Sequence, residues 1–171
     1  MIGCNPYLVV PLLLLVALLQ STALPGLTIL GVSPELMLLT VLAWSLLRGV
    51  EEGLLWAFLG GLALDLFSGG PLGASTLALL TTSFFTGLTQ GAVTRSSFLL
   101  PMGTALAGTL LYQVIFLLVI QLTRGYVPWT DSLFRVTLPS LVVNTLAMPV
   151  VFRALARLDR RTGREQIGWG K

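Results

Sequence analysis

The chain has 171 residues, of which 55% are hydrophobic and 10% charged, with a formal net charge of +3. A soluble domain carries about 25% charged residues, so this composition excludes an ordinary water-soluble fold, and the mean hydropathy of +0.91 agrees. Histidine is absent and Cys4 is the single cysteine. An intrachain disulfide is therefore impossible, and a zinc or haem site has almost no donors to build on.

The apolar runs are long and continuous and do not alternate with polar residues, so helices and not barrel strands are the expected spanning elements. The reading is an all-α integral membrane protein, a compact bundle of about six transmembrane helices. Crossing the hydrocarbon core takes about 20 apolar residues, and the chain offers spans at 7–24, 28–48, 52–67, 72–91, 99–122 and 133–155, with a basic tail at 156–171.

The first span ends at Pro25-Gly26. It has the length of a signal-peptide core, but the first ten residues hold no Lys or Arg, so a retained span is expected. In the second, Ser33-Pro34-Glu35 reads as an N-cap, a first-turn proline and an acid matched to the helix dipole. The regular helix would then cover only 34–47, about 21 Å, with part of 27–32 entering the membrane in a non-helical conformation.

In the third span Gly53, Ala57, Gly61 and Asp65 are spaced by four and share one face. Small residues on that face admit a close helix neighbour. The fourth span carries Gly87-x-x-x-Gly91 and the fifth Gly103-x-x-x-Ala107, so close helix packing is expected throughout. Gln113 in the fifth span and Asn144 in the sixth are expected to donate hydrogen bonds between helices, each worth about 0.6 kcal/mol. Trp44 and Trp56 flank the loop from Arg48 to Glu52 and read as interfacial anchors.

Orientation follows from the short loops. With an even number of spans, one side holds Arg48, Arg95, Arg153, Arg157, Arg160, Arg161, Arg164 and Lys171, and the other only Arg124 and Arg135. Both termini are therefore expected in the cytoplasm, with Tyr126 and Trp129 at the outer interface. The basic tail, RALARLDRRTGREQIGWGK from Arg153 onward, is expected to continue as a short helix resting on anionic lipid or docking a cytoplasmic partner.

Asp65 sits near the outer end of the third span, where an unpaired carboxylate at full depth costs about 2.5 to 3.5 kcal/mol. The sequence that follows, Ser68-Gly69-Gly70-Pro71-Leu72-Gly73, suggests a partner. Gly69 or Gly70 can end the helix with positive φ, and Pro71 suits the first turn of the next one. That next helix, starting at Pro71 to Gly73, presents unpaired N–H groups. Asp65 could accept from them with help from Ser68, bracing a tight hairpin that contacts a partner chain. The other reading makes Asp65 a proton or cation site, for which Gln113, Asn144, Thr81, Thr82 and Ser83 are the available company. No other span shows a central charge.

No nucleophile–base pair, metal-ligand cluster or phosphate loop is present. The expectation is a non-enzyme with no cofactor, no metal and no nucleic-acid partner, acting through helix surfaces.

The motifs Ser33-Pro34-Glu35-Leu36, Trp44 to Arg48 with Glu51-Glu52-Gly53, and LDLFSGGPLG at 64–73 resemble the MreD family of bacterial rod shape-determining membrane proteins. The resemblance covers most of 30–90, with Glu35 where an Asp is also common. It implies a scaffold subunit of the machinery that elongates the peptidoglycan wall. MreC is the foremost partner it implies, followed by the MreB filament and RodA with its class B penicillin-binding protein. The family is also similar in outline to substrate-binding subunits of energy-coupling-factor vitamin transporters. The competing function is thus a membrane subunit that binds a small molecule; an ion channel is weaker, since no ring of charge or filter-like loop is visible.

Overall fold

A computed structural model describes residues 6–23, 26, 31–89, 99–125 and 129–162, with backbone only at 6–8, 23, 124, 161 and 162. Among the described residues every regular element is helical: α1 (Pro6–Leu18), α2 (Leu36–Arg48), α3 (Val50–Ser68), α4 (Ala74–Gly87), α5 (Leu99–Arg124), α6 (Trp129–Ser132) and α7 (Leu138–Thr162). A π-helical turn, Leu19–Ala23, extends α1, and another, Leu133–Thr137, joins α6 to α7. Two helices are long and apolar enough to cross a membrane, Leu99–Thr123 and Trp129–Arg160. Val9–Thr22 and Leu36–Arg48 are shorter apolar helices.

The core forms around α2. Every residue from Met37 to Leu46 is buried, because α3, α4, α5 and α7 all pack against it. A helix apolar on all sides belongs in the centre of such a bundle. Gly49 alone separates α2 from α3, and the most extensive helix contact is the α3–α4 hairpin.

Small residues set how closely the helices approach. A Cβ on Gly61 would lie 2.5 Å from the Thr76 Cα, and one on Gly87 would lie 2.7 Å from the Val50 Cα. A Cβ on Gly53 would strike Ser45 Oγ at 2.4 Å, where Ser45 and Ser83 share a buried hydroxyl–hydroxyl bond of 2.8 Å. Ala57 is fully buried on the same face. On α5 the expected pair faces the other way. Gly103 and Ala107 are exposed, and no atom lies within 4 Å of a Cβ built on Gly103. The close approach is made instead by Gly108, whose Cβ would lie 2.8 Å from Leu42. One residue of rotation turns a helix by about 100°, enough to exchange the stripe that faces the core. Gly91 lies outside the described residues.

The two tryptophans also depart from expectation. Trp44 and Trp56 are buried and stack with ring centroids 4.1 Å apart and an interplanar angle of 12°. They pack against each other inside the bundle, covered by protein rather than exposed as surface anchors. The Trp44 indole N–H donates to Glu52 Oε2 at 3.2 Å, and the Arg48 guanidinium lies 5.7 Å over the Trp44 ring. Arg48 is also ion-paired with Glu52 at 3.9 Å and with Asp159 of α7. One end of α2, α3 and α7 is tied together in this way.

Gly61→Ala is expected to lower stability by about 1–3 kcal/mol, the range for overpacking, because the atom it meets is backbone. Gly103→Ala, which meets nothing, should change stability by less than about 0.5 kcal/mol. Thermal unfolding of the two variants in detergent checks this; equal melting temperatures would refute the packing assignment.

Candidate functional site: two acids inside the bundle

Two carboxylates lie among the helices, Asp65 at the end of α3 and Glu35 at the start of α2. The groups that donate to them are backbone amides, carboxamides and a hydroxyl.

Asp65 is 3% exposed. Its Oδ2 accepts from the Gly73 N–H at 2.9 Å, the Thr76 N–H at 3.2 Å and the Thr76 hydroxyl at 2.7 Å. Its Oδ1 accepts from the Ser75 N–H at 2.9 Å. These are the donors that the start of a helix leaves unpaired, and a carboxylate also complements the positive end of the helix dipole. The geometry is that of an N-terminal cap supplied by the preceding helix, since the N-cap residue of α4, Gly73, has no side chain of its own. Gly69 at φ +63° and Gly73 at φ +96° are the positive-φ residues that fold the chain back. A residue with a Cβ is disfavoured at both.

Two details differ from the sequence reading. Helix α4 starts at Ala74 and not at Pro71, so Pro71 and Leu72 belong to the turn. Ser68 is exposed, and the hydroxyl that joins the carboxylate is that of Thr76. Thr81, Thr82 and Ser83 do not reach the acid: the first two donate to Leu77 and Ala78 carbonyls, and Ser83 meets Ser45.

Glu35 is the acid that the sequence reading placed at a helix cap. Helix α2 begins at Leu36, and Glu35 makes no side-chain cap bond to it. Its carboxylate turns into the bundle. Oε1 accepts from Gln113 Nε2 of α5 at 2.6 Å, and Oε2 accepts from Asn144 Nδ2 of α7 at 3.2 Å. Asn144 also accepts the Glu35 N–H at 3.0 Å and donates to Thr109 Oγ1 at 3.3 Å. The Met37 N–H is capped by Gln20 of the first π-helical turn at 2.8 Å. The start of α2 is thus held by side chains from three other segments, which leaves Ser33-Pro34 outside the helix. The sequence reading gave no other span a central charge; the structure adds a second acid among the helices, with Gln113 and Asn144 as its donors. Two lone carboxamides in apolar helices were the available signal, since each needs a partner and an acid satisfies both.

Of the basic residues, Arg153, Arg157 and Arg160 are exposed along the end of α7. The backbone of Arg161 continues the helix, its side chain is not described, and Arg164 lies outside the described residues.

Two surface cavities are apolar. One of about 130 Å³ lies between α4 and α5, lined by Thr82, Phe85, Ala107 and Gly108 among others. One of about 180 Å³ lies between α1 and α3, lined by residues such as Leu13, Leu59 and Leu66. Neither is lined by Asp65, Glu35, Gln113 or Asn144, the groups that would recognise a polar solute.

These features define an all-helical membrane protein whose interior polar groups join helix to helix. The chain matches the family described as rod shape-determining protein MreD over residues 1–157, and it belongs to that family. No curated protein and no solved structure matches it. The family is one of membrane proteins that determine rod shape, structural in role.

Asp65→Asn replaces one acceptor oxygen by an N–H₂ group facing N–H donors. It should destabilise by about 1–3 kcal/mol, more than Thr76→Val, which removes one hydroxyl bond. Limited proteolysis within 69–73 should accelerate in the same order, and unchanged cleavage in both variants would contradict the capping geometry. Around Glu35, a double-mutant cycle of Glu35→Leu and Gln113→Leu should give a coupling of about 0.5–3 kcal/mol, the range for groups in one network; additive losses would show that the two do not interact.

Proposed function

We propose that this protein is a non-enzymatic membrane scaffold of the cell-wall elongation machinery. It would cross the membrane six times with both termini in the cytoplasm, bind MreC, and help organise lateral peptidoglycan synthesis. The MreB filament, and RodA with its class B penicillin-binding protein, are further partners on this reading. The observation that carries it is family membership over residues 1–157. The arginine asymmetry between the two sets of loops supports the orientation.

The α3–α4 hairpin is the contact surface the reading favours. Its backbone is held by the Asp65 cap, while Leu66, Phe67 and Leu72 are 65%, 45% and 73% exposed around the turn. A rigid turn with apolar side chains pointing outward suits a partner's transmembrane helix, because rigidity reduces the ordering cost of binding. Gly69, Gly70, Pro71 and Gly73 set the path of the turn, and Ser68 sits at its base.

Co-purification with MreC tests the proposal. Leu72→Ala and Phe67→Ala leave the cap untouched and should reduce MreC recovery about tenfold, a loss of about 1.4 kcal/mol. Asp65→Asn and Pro71→Ala should also reduce it. Wild-type recovery with all four variants would overturn the assignment of this surface.

A further inference from the structure

One turn of α7 is incompletely bonded. Pro149 lies inside the helix and has no N–H, so the Thr145 carbonyl loses the donor four residues on, and the proline ring crowds that carbonyl. The Thr145 hydroxyl is buried and has no hydrogen-bond partner among the described residues. Elsewhere in the bundle, hydroxyls take the carbonyl four residues back, as Ser45, Thr81, Thr82, Thr104 and Thr123 do. Thr145 thus combines an interrupted backbone ladder with a side chain that does not repair it.

This turn lies between two attachments of α7 to the same neighbour. Before it, Asn144 bonds Glu35 at the start of α2 and Thr109 of α5. After it, Asp159 pairs with Arg48 at the end of α2. That far end holds further groups. Arg48 also pairs with Glu52, Arg153 has an interaction of its own, Glu51, Arg157 and Arg160 are exposed, and Leu155 is buried. The near attachment is made by the fully buried Asn144, whereas the Arg48 and Asp159 side chains are 21% and 27% exposed. Buried hydrogen bonds are costly to leave unmade and partly exposed ion pairs are worth little, so the far half releases first. Undocking turns Leu155 toward lipid tails, which are as apolar as the core it leaves.

We propose that α7 is a hinged strap: it bends at Thr145–Pro149, so that the half ending in Arg160 undocks from α2 while the half carrying Asn144 stays in place. Sharp kinks, above about 20°, occur at proline. Arg160 is about 16 Å past Pro149 along the axis, so a bend of that size displaces it by about 6 Å. The movement separates Asp159 from Arg48 and leaves the Glu35 junction and the α3–α4 hairpin as they are. The device is distinct from the contact surface proposed above and does not depend on it.

Distances between spin labels in the full chain, in a Cys4→Ser background, test this. One label is carried by Leu110→Cys on α5, where the side chain is 45% exposed, and the other by Leu146→Cys or Arg160→Cys. The distance to position 146 should be single and narrow in every variant. Asp159→Asn leaves the Arg48–Glu52 pair in place. It should raise the displaced fraction at position 160 about threefold, within the range for a partly exposed ion pair, with a shift of about 6 Å. Adding Pro149→Ala restores the missing N–H and should return position 160 to one distance. Positions 146 and 160 moving together overturn the hinge, since the helix then moves as one rod. So does a distance to position 160 that Asp159→Asn leaves unchanged, or that Pro149→Ala does not restore. Thr145→Val is a separate check by thermal unfolding. It should melt at or above the wild type, whereas Thr82→Val, which loses a bond to Ala78, should melt lower. A lower melting temperature for Thr145→Val shows that its hydroxyl is bonded and overturns the proposal.

Discussion

A helix that begins inside an apolar bundle has amides with no water to bind. The solution that organises this molecule is a carboxylate lent by a neighbouring helix. Asp65 accepts three backbone N–H groups and one hydroxyl at the start of α4. Each such amide buried without a partner costs about 1–3 kcal/mol, and the one acid satisfies three of them. The hairpin, the close α3–α4 approach at Gly61 and the outward display of Leu66 and Leu72 all follow from fixing that turn. Gly61 sits one helical turn before Asp65, and its contact is Thr76 itself, so the cap and the small-residue contact position the same residue.

The same logic operates at the start of α2 with different chemistry. There the amides are capped by carboxamides, from Gln20 and Asn144, and the adjacent acid is used to collect donors from α5 and α7. The central helix is 13 residues long, about 20 Å, which is shorter than the hydrocarbon core. A central helix that starts at depth needs its first turn satisfied by others, and the polar residues of the surrounding helices are placed where that turn begins. Polar groups in apolar helices join elements more than they form a pocket.

How far the sequence reveals this depends on the distance over which each interaction acts. The Asp65 hairpin is local: acid, glycines and proline lie within eight residues of Gly73, so the turn chemistry points to the cap before any fold is known. Its details depend on where the helix starts, and Thr76 takes the place given to Ser68 because α4 begins at Ala74. Glu35 with Gln113 and Asn144 is separated by 78 and 109 residues, and nothing local pairs them. Helix spacing identifies stripes but not their direction. It gives Gly53, Ala57 and Gly61 facing inward correctly, and it gives Gly103 and Ala107 the wrong way round, because Gly108 faces Leu42. Trp44 and Trp56 follow the same rule. Aromatic residues near a charged loop suit an interface by composition, and only the crossing of α2 and α3 turns them into a buried stack.

The two ends of the bundle are stabilised by different means, and this bears on how such a protein can act. At the Asp65 end, capping bonds connect neighbours in sequence and leave an apolar turn projecting. At the other end, Arg48 gathers Glu52 and Asp159, linking α2 to a helix more than a hundred residues away. Partly exposed ion pairs such as these are individually worth little. Their consequence here is geometric: they hold the Asp159 side of α7 toward the end of α2, so the opposite side faces outward. A chain with so little mass outside its helices presents itself to other molecules mainly through helix faces and turns. The buried acid and the ion pairs determine which faces those are, and each does so without being part of the surface it orients.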